Sequence, residues 1–96
     1  MKQPAVYIIT NQTNSILYIG VTSNLPSRIY QHREKLIAGF SHKYHLNKLV
    51  YFEIYDDMPN AIAREKQLKK WLRAWKNELI NKQNPDWQDL YPTVTL

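Results

Sequence analysis

Two β-branched runs set close together, Ala5–Thr10 (A-V-Y-I-I-T) and Ile16–Val21 (I-L-Y-I-G-V), constrain this chain more than any other feature. Between them, Asn11-Gln12-Thr13-Asn14 is polar and carries no apolar period, so the segment reads as strand, turn, strand. A connection this short predicts an antiparallel hairpin, because parallel strands need a crossover of roughly a dozen residues or more. Alternation puts Tyr7 on the face opposite Val6 and Ile8, and Tyr18 on the face of Ile16 and Gly20. With Thr10 paired near Ser15, the two tyrosines stand across from each other on one face. An aromatic cross-strand pair is an ordinary way to steady a sheet. Gly20 asks for more, since a glycine inside a strand weakens it and marks a bulge or a close approach to the backbone.

After the hairpin, Thr22-Ser23-Asn24 offers N-cap side chains, Pro26 suits a first helical turn and Gly39 is a natural stop, which predicts a helix over Leu25–Ala38. Leu25, Ile29 and Leu36 form its buried stripe, and Arg28 and His32, one turn apart, fall side by side on the margin. A fixed cation and an imidazole are thereby half sheltered beside the sheet, whereas Arg33 and Lys35 read as solvated. Phe40–Asn47 (F-S-H-K-Y-H-L-N) has no period and reads as a loop. Its His42 and His45 lack partners at metal-ligand spacing. Lys43 beside Tyr44 is the pairing of cation and ring with which single-strand binders touch phosphate and base, although two residues are too few to be specific.

Lys48–Tyr55 has the composition of a third strand, ended by Asp56-Asp57-Met58-Pro59-Asn60, with Asn60 or Asp57 capping a second helix over Asn60–Leu72. On that helix Met58, Ala61, Ile62, Leu68 and Leu72 define the apolar side, and Glu65 falls in the middle of it. A carboxylate there is costly unless a cation, a donor or a metal answers it, and Lys69 four residues on or Arg28 across the fold would serve as well as a metal. Arg64, Lys66, Lys69, Lys70, Arg73 and Lys76, with Trp71 and Trp75 interleaved, form either a phosphate-binding face or a solubilising one. A third helix over Arg73–Gln83 stops at Asn84-Pro85, and Trp87, Leu90 and Tyr91 predict a tail that packs back.

The 96 residues make one domain, residues 1–96, with a formal net charge of +5 that favours a polyanionic partner. There is no cysteine, hence no disulfide, thiolate zinc site or thiol nucleophile, and a reducing cytoplasm is the expected compartment. No apolar run is long enough for a signal peptide or a membrane span, so a soluble protein is expected.

In this order the residues resemble the GIY-YIG nuclease superfamily, most closely its small stand-alone predicted endonucleases, which are similar to the catalytic module of the nucleotide-excision-repair excinuclease. The first motif corresponds to Ala5-Val6-Tyr7, the second to Tyr18-Ile19-Gly20, the helix-borne pair to Arg28 and His32, the metal-binding glutamate to Glu65 and the late asparagine to Asn84. L-V-Y-F-E at Leu49–Glu53, R-E-K-Q-L-K-K-W at Arg64–Trp71 and N-P-D-W-Q-D-L at Asn84–Leu90 also look like the stand-alone branch. Two positions depart: Ala5 stands for the glycine of the first motif, and Val21 for the lysine that follows the second in the excinuclease.

The resemblance implies an α+β fold, a small three-stranded antiparallel sheet flanked by helices in the order β-β-α-β-α-α. It also implies a metal-dependent endonuclease acting on nucleic acid, DNA in preference to RNA. Phosphodiester hydrolysis needs an activated water, a cation on the non-bridging oxygens and a stabilised leaving oxygen. Glu65 would hold one Mg²⁺ or Mn²⁺, Arg28 would neutralise the phosphate, and Tyr7 or Tyr18 would position and deprotonate the water with His32 assisting. Asn84 completes the set, and Lys43, Lys66, Lys70 and Arg73 are the residues expected to touch nucleic acid. The alternative is a nucleic-acid-binding module on the same fold that cleaves nothing.

Overall fold

The hairpin is built around the side chain of Asn11. In the computed structural model, which describes residues 3–95, β1 (Ala5–Thr10) and β2 (Leu17–Thr22) pair antiparallel, and Asn11 Oδ1 accepts from the backbone N–H of Ser15 at 2.9 Å and of Ile16 at 3.2 Å. Thr10 Oγ1 donates to the Ile16 carbonyl at 2.7 Å, and Asn14 takes a positive φ of 61°. These bonds draw Ser15 and Ile16 into the turn. The register therefore differs from the one expected: Thr10 faces Leu17 rather than Ser15, Tyr7 faces Gly20, and Tyr18 faces Ile9. The slip is of two residues, so Tyr7 and Tyr18 still share a face, diagonally related.

The third strand, β3 (Lys48–Ile54), pairs with the other edge of β1, giving an antiparallel sheet of order β2-β1-β3. Between Ile8 and Ile9 the pairing slips, Ile8 facing Tyr51 and Ile9 facing Leu49, so Val50 is an extra residue in β3. The central strand is buried along its whole length. Its Val6 and Ile8 join Ile19, Val50, Ala61, Leu68 and Ile80 in one core, and its Ala5, Tyr7 and Ile9 join Leu25, Ile29, Leu46 and Leu49 in the other.

Helix α1 (Leu25–Arg33) starts at Asn24, whose side chain accepts from the Ser27 N–H, with Pro26 in its first turn. It ends five residues before the expected Ala38. Lys35 adopts a φ of 56°, its N–H reaches the His32 carbonyl at 3.2 Å and the Leu36 N–H reaches the Gln31 carbonyl at 2.9 Å, a Schellman closure without glycine. Leu36 is consequently out of the stripe and 65% exposed, and His32 takes its place as a buried residue beside Leu25 and Ile29. Arg33, expected to be solvated, instead pairs with Asp89 and stacks over the Tyr91 ring at 4.7 Å.

The segment read as a loop contains a short helix, α2 (Phe40–Lys43), entered through Gly39 at φ 113°, a conformation open to glycine. His45 at φ 57° and the Leu46 N–H bond to the Ser41 carbonyl close it, delivering Leu46 to the core. Helix α3 (Met58–Lys69) is capped by Asp57 and begins two residues before the expected Asn60. It stops at Lys69, and Leu72, extended at ψ 154° and 61% exposed, leads into α4 (Arg73–Gln83). A one-turn helix α5 (Tyr91–Val94) closes the tail against the α1 side, anchored by the Leu90 N–H on the Leu49 carbonyl at 2.7 Å. Among the described residues no helix is long and apolar enough to cross a membrane.

Candidate active site

Tyr7 enters the site from the central strand, and Gly20 makes room for it. A β-carbon at Gly20 would overlap the Tyr7 hydroxyl and Cζ, so the close approach expected of this glycine is made by the tyrosine itself. From there Tyr7 Oη is bonded to His32 Nε2 at 2.9 Å, and His32 Nδ1 to Ser41 Oγ at 2.9 Å. All three side chains are buried. Tyr18 closes the group, its ring centroid 6.4 Å from that of Tyr7 and, edge-on, 5.9 Å from that of His32.

Burial, and after it the Arg28 charge, pushes the His32 imidazole down to about 4, so the ring is neutral at physiological pH. The Tyr7 phenol is held well above its ordinary range, by burial first and then by Tyr18, with Arg28 pulling it down and Glu65 pushing it up. The buried Tyr7 hydroxyl has no other acceptor among the described residues, so we assign Tyr7 O–H as donor to His32 Nε2 and His32 Nδ1–H as donor to Ser41 Oγ. The result is a one-way chain of proton donors, from Tyr7 through His32 to Ser41. Sequence reasoning missed Ser41, which lies in a segment without period and finds its partner nine residues earlier.

Arg28, half-buried, lies one turn before His32 on α1, and Glu65 lies between Ala61 and Leu68 on the buried stripe of α3. Both charges act on Tyr7, although α1 and α3 cover opposite faces of the sheet. The faces meet at the edge strand: Tyr18 and Ile19 point to opposite sides of β2, yet both line one cavity with Lys69 of α3 and Phe40 of α2. The Glu65 side chain is 13% exposed and one oxygen takes Lys69 Nζ at 2.9 Å. Among the described residues no group of three or more His, Cys, Asp or Glu could hold a metal ion. A lone, sheltered carboxylate does fit Mg²⁺ or Mn²⁺, hard cations that keep several waters and take further oxygens from a phosphate.

The other expected residues stand apart from this group. Asn84 is buried, its amide donating to the Val50 carbonyl at 3.0 Å and the Gln88 carbonyl at 2.9 Å while its oxygen accepts from the Gln88 N–H. It answers the carbonyl of the bulged Val50, and its bonds go to backbone rather than to Tyr7, Tyr18 or His32. Arg73 spends its guanidinium on the Asn14 carbonyl at 2.7 Å, the Ser15 carbonyl at 3.0 Å and Asn77 Oδ1. Arg64 is likewise engaged, bonded to Glu53 and set over Trp71 at 5.1 Å. Lys43, Lys66 and Lys70 are exposed.

Residues 3–82 match the model of the GIY-YIG catalytic domain. The chain belongs to the GIY-YIG family. Within it the chain is similar to small stand-alone proteins: it is 37% identical to a UPF0213 protein of Syntrophus aciditrophicus over 87 residues, covering 90% of this chain and 98% of that one. A UPF0213 protein of Clostridium perfringens is 38% identical over 76 residues, 79% of this chain and 81% of that one. The solution structure of a UPF0213 protein from Bacillus halodurans superposes with a TM-score of 0.57 at 22% identity, covering 91% of this chain and 92% of the other. That likeness establishes the fold, the α+β sheet and helices of a small GIY-YIG domain. Membership places this GIY-YIG protein in a nuclease family, whose domain implies a nucleic-acid substrate and a divalent metal.

Proposed function

We propose that this GIY-YIG protein is a metal-dependent endonuclease that hydrolyses phosphodiester bonds, DNA in preference to RNA, with one divalent cation. The observation that carries the reading is the buried Tyr7–His32–Ser41 chain, with Arg28 one turn before His32 on the same helix and Glu65 sheltered on the buried stripe of α3. No purely structural demand asks for a buried phenol bonded to a buried imidazole and seated against a glycine that cannot carry a side chain.

The chain of bonds defines the proton path. A phenol that firmly holds its proton is a poor base by itself, so Tyr7 accepts a proton from the attacking water only as it passes its own to His32 Nε2. His32 keeps that lone pair available because Ser41 holds the other nitrogen in the N–H form. Tyr18 lacks such an acceptor among the side-chain bonds of the site, which favours Tyr7 as the phenol that moves the proton and leaves Tyr18 to orient the water. Arg28 pairs with the phosphate oxygens and stabilises the charge that grows on them. When bound at Glu65, Mg²⁺ or Mn²⁺ would supply Lewis-acid stabilisation of the phosphate and leaving oxygens.

Glu65→Gln tests the reading. It keeps the side chain's shape, removes the charge that holds a hard cation, and should lower plasmid or oligonucleotide cleavage by about a hundredfold or more. The pair it breaks is with a half-exposed lysine, so the melting temperature should change little. Cleavage should need Mg²⁺ or Mn²⁺ and stop with chelator. A variant that cleaves at the wild-type rate per folded molecule removes Glu65 from the chemistry. Folded wild-type protein that binds nucleic acid but cleaves none with either metal would favour the binding module.

A further inference from the structure

We propose that the exposed rings of Phe40 and Tyr44 form a stacking platform for unpaired bases, so that the substrate is single-stranded where it crosses the site; this rests on the nuclease reading above. An aromatic path runs outward from the buried Tyr7. Tyr18 lies 6.4 Å from it, Phe40 stacks on Tyr18 at 6.3 Å with the planes 25° apart, and Tyr44 follows Phe40 at 4.8 Å. Phe40 is 49% exposed and Tyr44 37%, and neither ring is packed into either core. Leu46 anchors this segment to the sheet instead. The two rings are therefore dispensable for the fold and laid out beside the catalytic group.

Lysines neighbour both rings, Lys69 with its ammonium on Glu65. Lys43 Nζ is 5.3 Å from the Tyr44 centroid, and across Phe40 a cavity of about 310 Å³ is lined by Tyr18, Lys69 and Lys76. Rings alternating with cations suit a polymer in which bases alternate with phosphates. In a duplex each base face is covered by its neighbours, so exposed rings find no π-face to meet. A single strand presents one at every nucleotide. A protein partner would have to bury or neutralise these lysines, which is why the charge favours nucleic acid.

The test is binding, read in chelator so that no cleavage occurs. Anisotropy titrations compare labelled oligothymidylate with its duplex, for wild type and for Phe40→Ala/Tyr44→Ala. Wild type should prefer the single strand. The double variant should lose about tenfold or more of that affinity with little change on duplex, since stacking on a ring is commonly worth that much per base. Phe40→Trp should keep the affinity, and Phe40→Leu, apolar without a π-face, should lose it. Equal affinity of wild type for both forms, no loss in the double variant, or rescue by leucine would each overturn the platform. Adding Mg²⁺ to the same samples separates the two ideas: cleavage indifferent to the rings overturns the platform alone, whereas ring-dependent binding without cleavage supports it and overturns the nuclease.

Discussion

His32 uses both ring nitrogens in bonds inside a buried pocket, and its basicity is what this arrangement gives up. From its ordinary 6.5 the imidazole falls to about 4, so between those values the unfolded chain binds a proton that the folded one refuses. Above pH 6.5 both states are neutral and the residue contributes no pH dependence. As the pH falls from about 6.5 to 4, stability should drop, by on the order of 3 kcal/mol in all, and level off once the folded ring protonates. His32→Gln, which keeps a polar side chain without a titrating group, should lose this part of the slope. Urea midpoints for both proteins at several pH values across that window measure it. Equal slopes would mean that His32 titrates as an exposed histidine does.

At the scale of the elements, two basic groups that look alike in the sequence do different work. Arg73, the first residue of α4, holds the carbonyls of Asn14 and Ser15 and so ties that helix to the turn between β1 and β2. Lys66 and Lys70, on the exposed side of α3 and at its C-cap, make no such bond among the described residues. Lys66→Ala/Lys70→Ala should weaken nucleic-acid binding alike across sequences and reduce the salt slope by about one for each phosphate left without its lysine. Arg73→Ala should leave that slope unchanged and cost about 1 kcal/mol of stability. Affinity measured over a salt series, with thermal melts, separates the roles. A reduced salt slope for Arg73→Ala would return that residue to the nucleic-acid interface.

Across the whole molecule, the sheet carries a core on each face, and the Tyr7–His32–Ser41 group lies on one of them, with Tyr18 of the edge strand β2 beside it. The opposite edge, β3, is secured by the tail: Asp89 accepts from the Leu49 N–H while Arg33 reaches across to it, and Asn84 answers the bulged Val50. Asn84→Ala should leave the buried Val50 carbonyl and two part-buried Gln88 backbone groups without their side-chain partner and cost about 2 kcal/mol, lowering the melting temperature by roughly 8–16 °C. Turnover per folded molecule should hold. Loss of turnover with an unchanged melting temperature would instead put Asn84 in the chemistry.

The order of the three strands and three long helices, the face shared by Tyr7 and Tyr18, the helix bearing Arg28 and His32, and the seat of Glu65 between Ala61 and Leu68 were all determined by the sequence itself, whereas the short α2 and α5 were not. Each is set by local alternation or helical period, which survives a two-residue slip of register or a helix end displaced by a turn. The tertiary structure alone decided that His32 rather than Leu36 completes the buried stripe, that Ser41 bonds its second nitrogen, that Arg33 pairs with Asp89 while Arg73 bonds the carbonyls of Asn14 and Ser15, and that Asn84 bonds the carbonyl of the bulged Val50. These outcomes turn on which buried polar atom lacks a partner once the strands are paired. That demand arises between residues distant in the chain and leaves no period in it.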